Sequence, residues 1–140
     1  MKFSEISAEE WGSLQPYLDT CLLPVTGLTG IEQPFEATEQ LEKLRDIMDL
    51  IEIPFKGRVV TYPAMHFYTN DEASRNMLEQ VCKSLKKTGF KHVLIATAQA
   101  GLDVAVNNAS MVLRPEHDGS LPESSKVAVM MRELWNGQAT

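Results

Sequence analysis

Two periods of apolar residues alternate along the chain. Short apolar runs, typical of buried strands, lie between stretches whose apolar residues recur every three or four positions, typical of amphipathic helices. The runs lie at 20–27, 57–63, 90–97 and 111–116, and the helical patterns at 7–16, 38–53, 70–88 and 126–135. This alternation predicts one three-layer α/β domain over 1–140, with a mainly parallel sheet of about four strands flanked by helices.

The helical patterns also predict which residues face the core. The predicted apolar stripes are Leu41, Leu44, Ile47, Met48 and Ile51 in the second helix, and Met77, Leu78, Val81, Cys82 and Leu85 in the third. Pro54 should end the second helix. Gly89 is well placed to end the third in a left-handed conformation.

Capping signals mark three helix starts. Ser7 and Glu10 have the spacing of a capping box, and Asn70 or Asp71 precedes the third helix. Ser120 and Glu123 fit a second capping box, with Pro122 inside the first turn, before a last helix that ends at Asn136 and Gly137. Residues 102–107 are left open as a further strand, and 117–125 are predicted to be a surface loop.

Composition narrows the classes of partner. The 140 residues are 44% apolar and 23% charged, and the net charge is −6 with a pI near 5.0. Such a surface does not neutralise phosphates, so no nucleic-acid partner is predicted. The only basic cluster is Lys83, Lys86, Lys87 and Lys91, near a helix end where cations complement the helix dipole.

The chain is predicted to be cytoplasmic and not inserted in a membrane. No apolar run approaches the ~20 residues of a membrane span, and the amino-terminal stretch is acidic, unlike a secretory signal. Cys21 and Cys82 are isolated in sequence, which predicts two buried, reduced thiols and gives no zinc pattern. Neither a metal nor a cofactor is predicted.

A site is expected beyond the carboxyl ends of the strands, where parallel sheets leave a crevice. Three loops, 26–32, 62–68 and 97–103, should converge there. The candidate ligand-binding residues in them are Thr26, Thr29, Glu32, Tyr62, His66, Thr97 and Gln99. His92 and His117 fall outside these loops and are expected to be structural or solvent-facing.

Each candidate has an ordinary structural alternative. Histidine changes charge near neutral pH and ligates metals, so His66 is the strongest candidate, but it also suits loop packing. Glu32 is either a general base or metal ligand, or a solvated carboxylate. The glycines of GLTGIE, 27–32, lack the lysine of a phosphate loop and the third glycine of a dinucleotide fingerprint. Without a nucleophile elbow, and with no histidine partner apparent for either cysteine, no catalytic residue is assigned.

Four segments in order resemble a family. YLDTCLLPVTGLTGIE, LEKLRDIMDLIE, FKGRVVTYPAMHF and TGFKHVLIAT are similar to the YpiF-like family, a domain of unknown function in Bacillus-type bacteria. The resemblance runs from about Trp11 to Trp135. It implies a small cytoplasmic bacterial protein with no assigned activity.

A second similarity is to creatininase-like metal-dependent amidohydrolases. The segment LLPVTGLTGIEQP keeps Glu32 and Gln33 but has Pro34 where that family has a histidine. GFKHVLIATAQAGL keeps Gly89 but has Gln99 where the second histidine is expected. Because an amide oxygen replaces imidazole poorly as a metal ligand, the resemblance implies a relative without its metal ligands.

Three functions are compatible with these features, and whether the chain is an enzyme stays open. The leading hypothesis is a non-catalytic domain that binds a small polar ligand or a protein partner through the loops at the strand carboxyl ends. The rival is an amide or ester hydrolase, with or without a metal, that uses Glu32 and His66. The third is a homo-oligomer that associates through Met130, Met131, Leu134 and Trp135 of the last helix.

Overall fold

A parallel sheet of five strands, flanked by four helices, forms the fold in a computed structural model that describes residues 1–137. The strands are β1 (Thr20–Leu28), β2 (Val59–Thr61), β3 (Met65–Phe67), β4 (His92–Ala96) and β5 (Met111–Leu113). The helices are α1 (Ala8–Leu14), α2 (Pro34–Glu52), α3 (Glu72–Lys87) and α4 (Ser124–Trp135), and a 3₁₀ turn covers Phe3–Glu5. The predicted α/β class is confirmed, and every strand pair is parallel.

The strand order places β1 at the centre of the sheet. Its neighbours are β4 on one side and, on the other, β2 beside its first half and β3 beside its second half. The chain therefore forms one sheet edge from two short strands. The strand predicted at 57–63 is confirmed over Val59–Thr61, and it ends before Pro63, which lacks an N–H. The strand β3, in which pairing with β1 resumes at Met65, was not predicted.

Each face of the sheet has its own apolar core. On one face, α1 and α3 cover β1, β3 and β4 through residues such as Leu78 and Cys82. On the other face, α2 and α4 cover the sheet through residues such as Ile47 and Met131. Side chains of β1 alternate between the two cores, as a strand buried on both faces requires.

Helix boundaries follow the capping signals with two exceptions. Ser7 accepts a hydrogen bond from the Glu10 amide at 3.1 Å, and Asp71 accepts one from the Ser74 amide at 2.7 Å. However, α2 begins at Pro34, earlier than predicted, because proline suits a first helical position. The capping box predicted at Ser120 is wrong.

The residue before α4 is Glu123, without a side-chain cap. The Ser120 hydroxyl instead donates to Asp118 at 2.6 Å, within the loop. The predicted end of the helix is confirmed, with Asn136 as the cap and Gly137 at φ +75°. Residues 102–107 form no strand.

Exposure corrects three predictions about apolar faces. Leu41 and Met77 are 40% and 59% exposed, so each lies at the margin of its helix's apolar stripe rather than in the core. In α4, Met131 and Leu134 are buried against the sheet and are not a contact surface. Within the described part of the chain, no helix combines the length and apolar character needed to cross a membrane.

Candidate functional site

Thr26, near the end of β1, connects the strands around the expected site. Its side-chain oxygen Oγ1 shares a hydrogen bond of 2.9 Å with His66 Nδ1 on β3. Its carbonyl accepts a hydrogen bond of 3.1 Å from Gln99 Nε2, in the loop after β4. Because Thr26 is buried, at 1% exposure, it orients both side chains from inside the sheet.

Gln99 lies at the topological switch point of the sheet, between β1 and β4, where the order of the strands reverses. Its amide nitrogen Nε2 also donates to the Gly27 carbonyl at 3.1 Å, and its backbone N–H donates to Oγ1 of the buried Thr97. Gly27 has φ +87°, and a Cβ there would lie 2.7 Å from Gln99 Nε2. The crevice that commonly holds a ligand in such sheets is therefore occupied by the chain's own carboxamide.

The loop after β4 is held in place by its neighbours. Arg114 Nη1 donates to the carbonyls of Ala100 and Leu102, each at 2.9 Å. The Asn70 carboxamide donates to the Gly101 carbonyl at 3.0 Å and accepts from the Asp103 amide at 2.7 Å. These hydrogen bonds anchor the loop after β4 to Arg114 and Asn70.

Glu32 is engaged within its own loop. Its carboxylate accepts hydrogen bonds from the amides of Thr29, at 3.0 Å, and Gly30, at 2.9 Å. These backbone hydrogen bonds, that from Thr29 above all, hold the pKa of Glu32 below its usual value. An ionised, turn-forming carboxylate is a weak base, so the geometry favours the structural alternative for Glu32.

His66 lies on a different surface, in a groove between α2 and the β2–β3 edge, which we call the His66 groove. The groove has a volume of about 520 Å³. Apolar side chains dominate its walls, among them Pro24 from β1, Leu44 and Met48 from α2, and Tyr62. His66 was predicted in a loop but lies in a strand, which fixes its backbone direction.

The imidazole of His66 is bonded on one side only. Nδ1 is engaged by Thr26, whereas Nε2 has no hydrogen-bond partner among residues 1–137. The ring is exposed at the rim of the groove. One nitrogen is thus oriented by the fold, and the other is available to a ligand.

The other polar groups of the groove form two ion pairs. Lys2 lies 3.4 Å from Glu52, which is 14% exposed and also accepts a hydrogen bond of 2.8 Å from Thr61. Arg45 pairs with its exposed neighbour Asp46 at 3.1 Å. An exposed pair contributes little stability, so Arg45 can meet a ligand at small cost, whereas Lys2 is exposed but remains beside a partly buried carboxylate.

The predicted site residues therefore divide into two groups. Tyr62 and His66 line the His66 groove, and Thr26 lies directly behind the imidazole. Glu32 and Gln99 line a separate cavity of about 300 Å³. Thr29 supports Glu32, and Thr97 supports Gln99.

Sequence reasoning missed the α2 wall and Lys2, which come from distant parts of the chain. The only sequence signal for the wall was the stripe of α2, in which Leu41 and Met48 lie beside buried positions. Within residues 1–137, no three histidine, cysteine or acidic side chains lie close enough together to hold a metal ion.

Fold and site define a small, doubly wound parallel α/β domain with a histidine-bearing groove beside an edge of its sheet. The chain belongs to the family described as "Protein of unknown function (DUF2487)", which it matches over residues 9–114. The matched region includes all five strands, α2, α3 and His66. Comparisons with curated proteins and with solved structures found no match.

Proposed function

We propose that this chain is a non-catalytic binding domain whose site is the His66 groove, and that the ligand carries a carboxylate beside an apolar group. The observation that carries the proposal is the one-sided bonding of His66, whose Nε2 is unpaired among residues 1–137. The groove volume, about 520 Å³, is in the range typical of ligand sites. Such sites combine apolar walls with a few polar groups that fix orientation.

The polar groups of the groove favour a ligand that accepts hydrogen bonds. Lys2 and Arg45 are cations, and an imidazole can donate through Nε2. The one carboxylate, Glu52, is already engaged by Thr61 and Lys2. A ligand carboxylate would supply the missing acceptor, and charge-assisted hydrogen bonds to it are stronger than neutral ones.

The walls supply the apolar half of the recognition. Pro24, Leu44 and Met48 line the groove together with the imidazole, and methionine adapts to irregular ligand shapes. Burying a branched aliphatic group there contributes roughly 25 cal/mol for each Å² removed from water. A short branched fatty acid combines both features.

The proposal is tested by titrating isotope-labelled protein with 4-methylpentanoate and following backbone amide resonances. We expect saturable shifts at Thr26, Met48 and His66, with weak binding because the probe is small. The neutral 4-methylpentanamide should bind about tenfold more weakly, since it lacks the charge-assisted contacts.

Two variants locate the binding. His66→Ala should weaken 4-methylpentanoate binding about tenfold through loss of a charge-assisted hydrogen bond. His117→Ala, at an exposed loop histidine remote from the groove in sequence, is the matched control and should bind as wild type. If the resonance shifts are centred on Glu32 and Gln99, the ligand binds in the cavity lined by those residues and not in the His66 groove. If no resonance shows a saturable shift, the proposal is refuted.

The hydrolase alternative receives less support from the geometry. It needs Glu32 and His66 at one substrate, but they line separate cavities. Gln99, at the position of a histidine in the creatininase-like resemblance, is engaged by two backbone carbonyls. We also propose that the chain is related to the YpiF-like family, which its four segments resemble, and more distantly to creatininase-like enzymes.

We also propose that the protein works in a reducing, cytoplasmic compartment. Cys21 and Cys82 are both free and buried. Burial raises the pKa of Cys21, and raises that of Cys82 to about 11, so neither thiol is readily ionised. Self-association through α4 is not proposed, because Met131 and Leu134 are buried.

A further inference from the structure

We infer that the carboxylate which the His66 groove takes belongs to an extended peptide segment, and that this segment adds to β3 as an outer strand. The inference rests on the proposed function of the groove and names its partner. It depends on the successive outward backbone groups of β3, which a strand can pair with and a small acid cannot span.

The outer side of β3 is open in the described part of the chain, where β3 pairs only with β1. The Tyr68 amide donates to the Leu28 carbonyl at 3.0 Å and so faces β1. Because successive backbone groups of a strand alternate in direction, the N–H and C=O groups of Met65 and Phe67 point away from β1. Unpaired groups of this kind are a template for another strand.

The β2 half of the same edge already binds an extended segment of this chain. The Thr61 amide donates to the Met1 carbonyl at 2.7 Å, and the Met1 amino group donates to the Val59 carbonyl at 2.8 Å. Lys2 and Thr61 form a parallel bridge. The segment then turns away at Phe3, so the added row of backbone stops before β3.

Side-chain directions match the proposed chemistry. His66 lines the groove on the α2 face, and its neighbour Phe67 points to the other face, where it is 68% exposed. In an added strand, residues i and i+2 lie on one face, so an acidic and an apolar side chain two positions apart would both enter the groove. The intervening residue would lie against Phe67.

The charged groups of the groove suit an acidic side chain. Lys2 and Arg45 line it beside a single carboxylate, Glu52, which already accepts a hydrogen bond from Thr61. Strand addition with side-chain pockets is a common mode of peptide recognition. An extended peptide with an acidic and an apolar side chain would therefore use both the open edge of β3 and the groove.

The test compares peptides that have the same side chains. The probe is the acetylated and amidated peptide Thr-Leu-Thr-Glu-Thr, titrated as for 4-methylpentanoate. Two further versions of the peptide carry N-methyl groups on alternate backbone amides. In the first version the Thr amides are methylated, and in the second the Leu and Glu amides are methylated. In an added strand only one set of amides faces β3, so one version should bind about tenfold more weakly than the other.

A variant of the protein gives a second test. Phe67→Pro removes an outward-facing N–H, which edge strands tolerate, without removing a bond to β1. It should weaken binding of the unmethylated peptide about tenfold and leave 4-methylpentanoate binding unchanged.

The outcomes separate the inference from the proposed function. Equal affinity of the two methylated versions, or a peptide no tighter than 4-methylpentanoate, would overturn strand addition while the acid site stands. Absence of binding by both the acid and the peptide would overturn both proposals. The methylated peptides need only wild-type protein, so the result does not depend on whether Phe67→Pro folds.

Discussion

The amino end of the sheet and the His66 groove differ in how far their polar side chains are satisfied. At the amino end, Arg58 donates to both carboxylate oxygens of Asp19, at 3.0 and 3.2 Å, and its guanidinium lies 4.3 Å from the centre of the Trp135 ring. The Trp135 indole donates to Thr20 Oγ1 at 2.8 Å. In the His66 groove, by contrast, one imidazole nitrogen is bonded and the other is unpaired within residues 1–137.

The contrast separates polar residues that hold the fold from those available to a partner. The amino-end network joins α4 to β1 and β2, and its members satisfy one another. A group in such a network loses stability when a partner is removed. A group bonded on one side only should instead affect binding when it is replaced.

The largest expected effect is at Gly27, which lies against Gln99 near the carboxyl end of β1. Gly27→Ala should lower the free energy of unfolding by about 3 kcal/mol, through strain at positive φ and displacement of the Gln99 side chain. Chemical denaturation measures the loss. Gly30→Ala is the matched control, because φ is +98° there and no atom lies within 4 Å of the added Cβ.

The control isolates the contact with Gln99 from backbone strain. Gly30→Ala should cost about 1–2 kcal/mol from positive φ alone. Equal losses in the two variants would show that the contact with Gln99 adds no stability beyond the backbone effect.

Removing the central carboxylate of the amino-end network should have the next largest effect. Asp19→Ala leaves a partly buried Arg58 without its bidentate partner and should cost about 2 kcal/mol, below the loss for a fully buried pair because Arg58 is 41% exposed. Chemical denaturation with the His66→Ala variant alongside gives the comparison. A loss smaller than that of His66→Ala would contradict the assignment of a structural role to the amino-end network and a binding role to His66.

Lowering the pH should reduce the free energy of unfolding, because it protonates the Asp19 carboxylate of the amino-end network. Burial opposes ionisation of Asp19, but hydrogen bonds from Arg58 and Thr20 outweigh it and lower its pKa. A lowered pKa contributes stability that is present above the unfolded value, about 4, and is lost as pH falls through the folded value. Asp19→Asn should therefore lose less stability than wild type between about pH 5 and pH 3. If chemical denaturation shows that wild type and Asp19→Asn lose the same free energy of unfolding between the two pH values, the prediction is contradicted.

The smallest expected stability changes are in the His66 groove. His66→Ala and Thr26→Val should each change the free energy of unfolding by less than about 1 kcal/mol, because the ring is exposed and Thr26 Oγ1 has no other partner among residues 1–137. Both should weaken 4-methylpentanoate binding, the second by releasing the imidazole. A large stability loss in His66→Ala would make His66 a packed structural residue.

The fold was largely predictable from the sequence, because periodicity and caps are local signals. The stripe through Leu44 and Ile47, the cap at Asp71 and the terminal Gly137 are all where the pattern places them. The division of one edge into β2 and β3 was not predicted. Pro63 signals an end to pairing, but its resumption at Met65 depends on the length of β1.

The groove could be predicted only in part. His66, Thr26 and Tyr62 were selected by their places near strand ends, but their separation from Glu32 was not foreseen. That separation depends on the Gln99 side chain, which reaches across to β1 because Gly27 leaves room for it. Contacts of this kind depend on tertiary approach, which no local pattern encodes.

The imidazole nitrogen resonances of His66 test the central claim most directly. The claim is that Nε2 meets a ligand carboxylate while Nδ1 stays on Thr26. During a titration with 4-methylpentanoate, the Nε2 resonance should shift with the same saturation curve as the Met48 amide, and with 4-methylpentanamide the curve should move to about tenfold higher ligand concentration. Unchanged resonances at both nitrogens, with or without shifts at Gln99, would contradict the account.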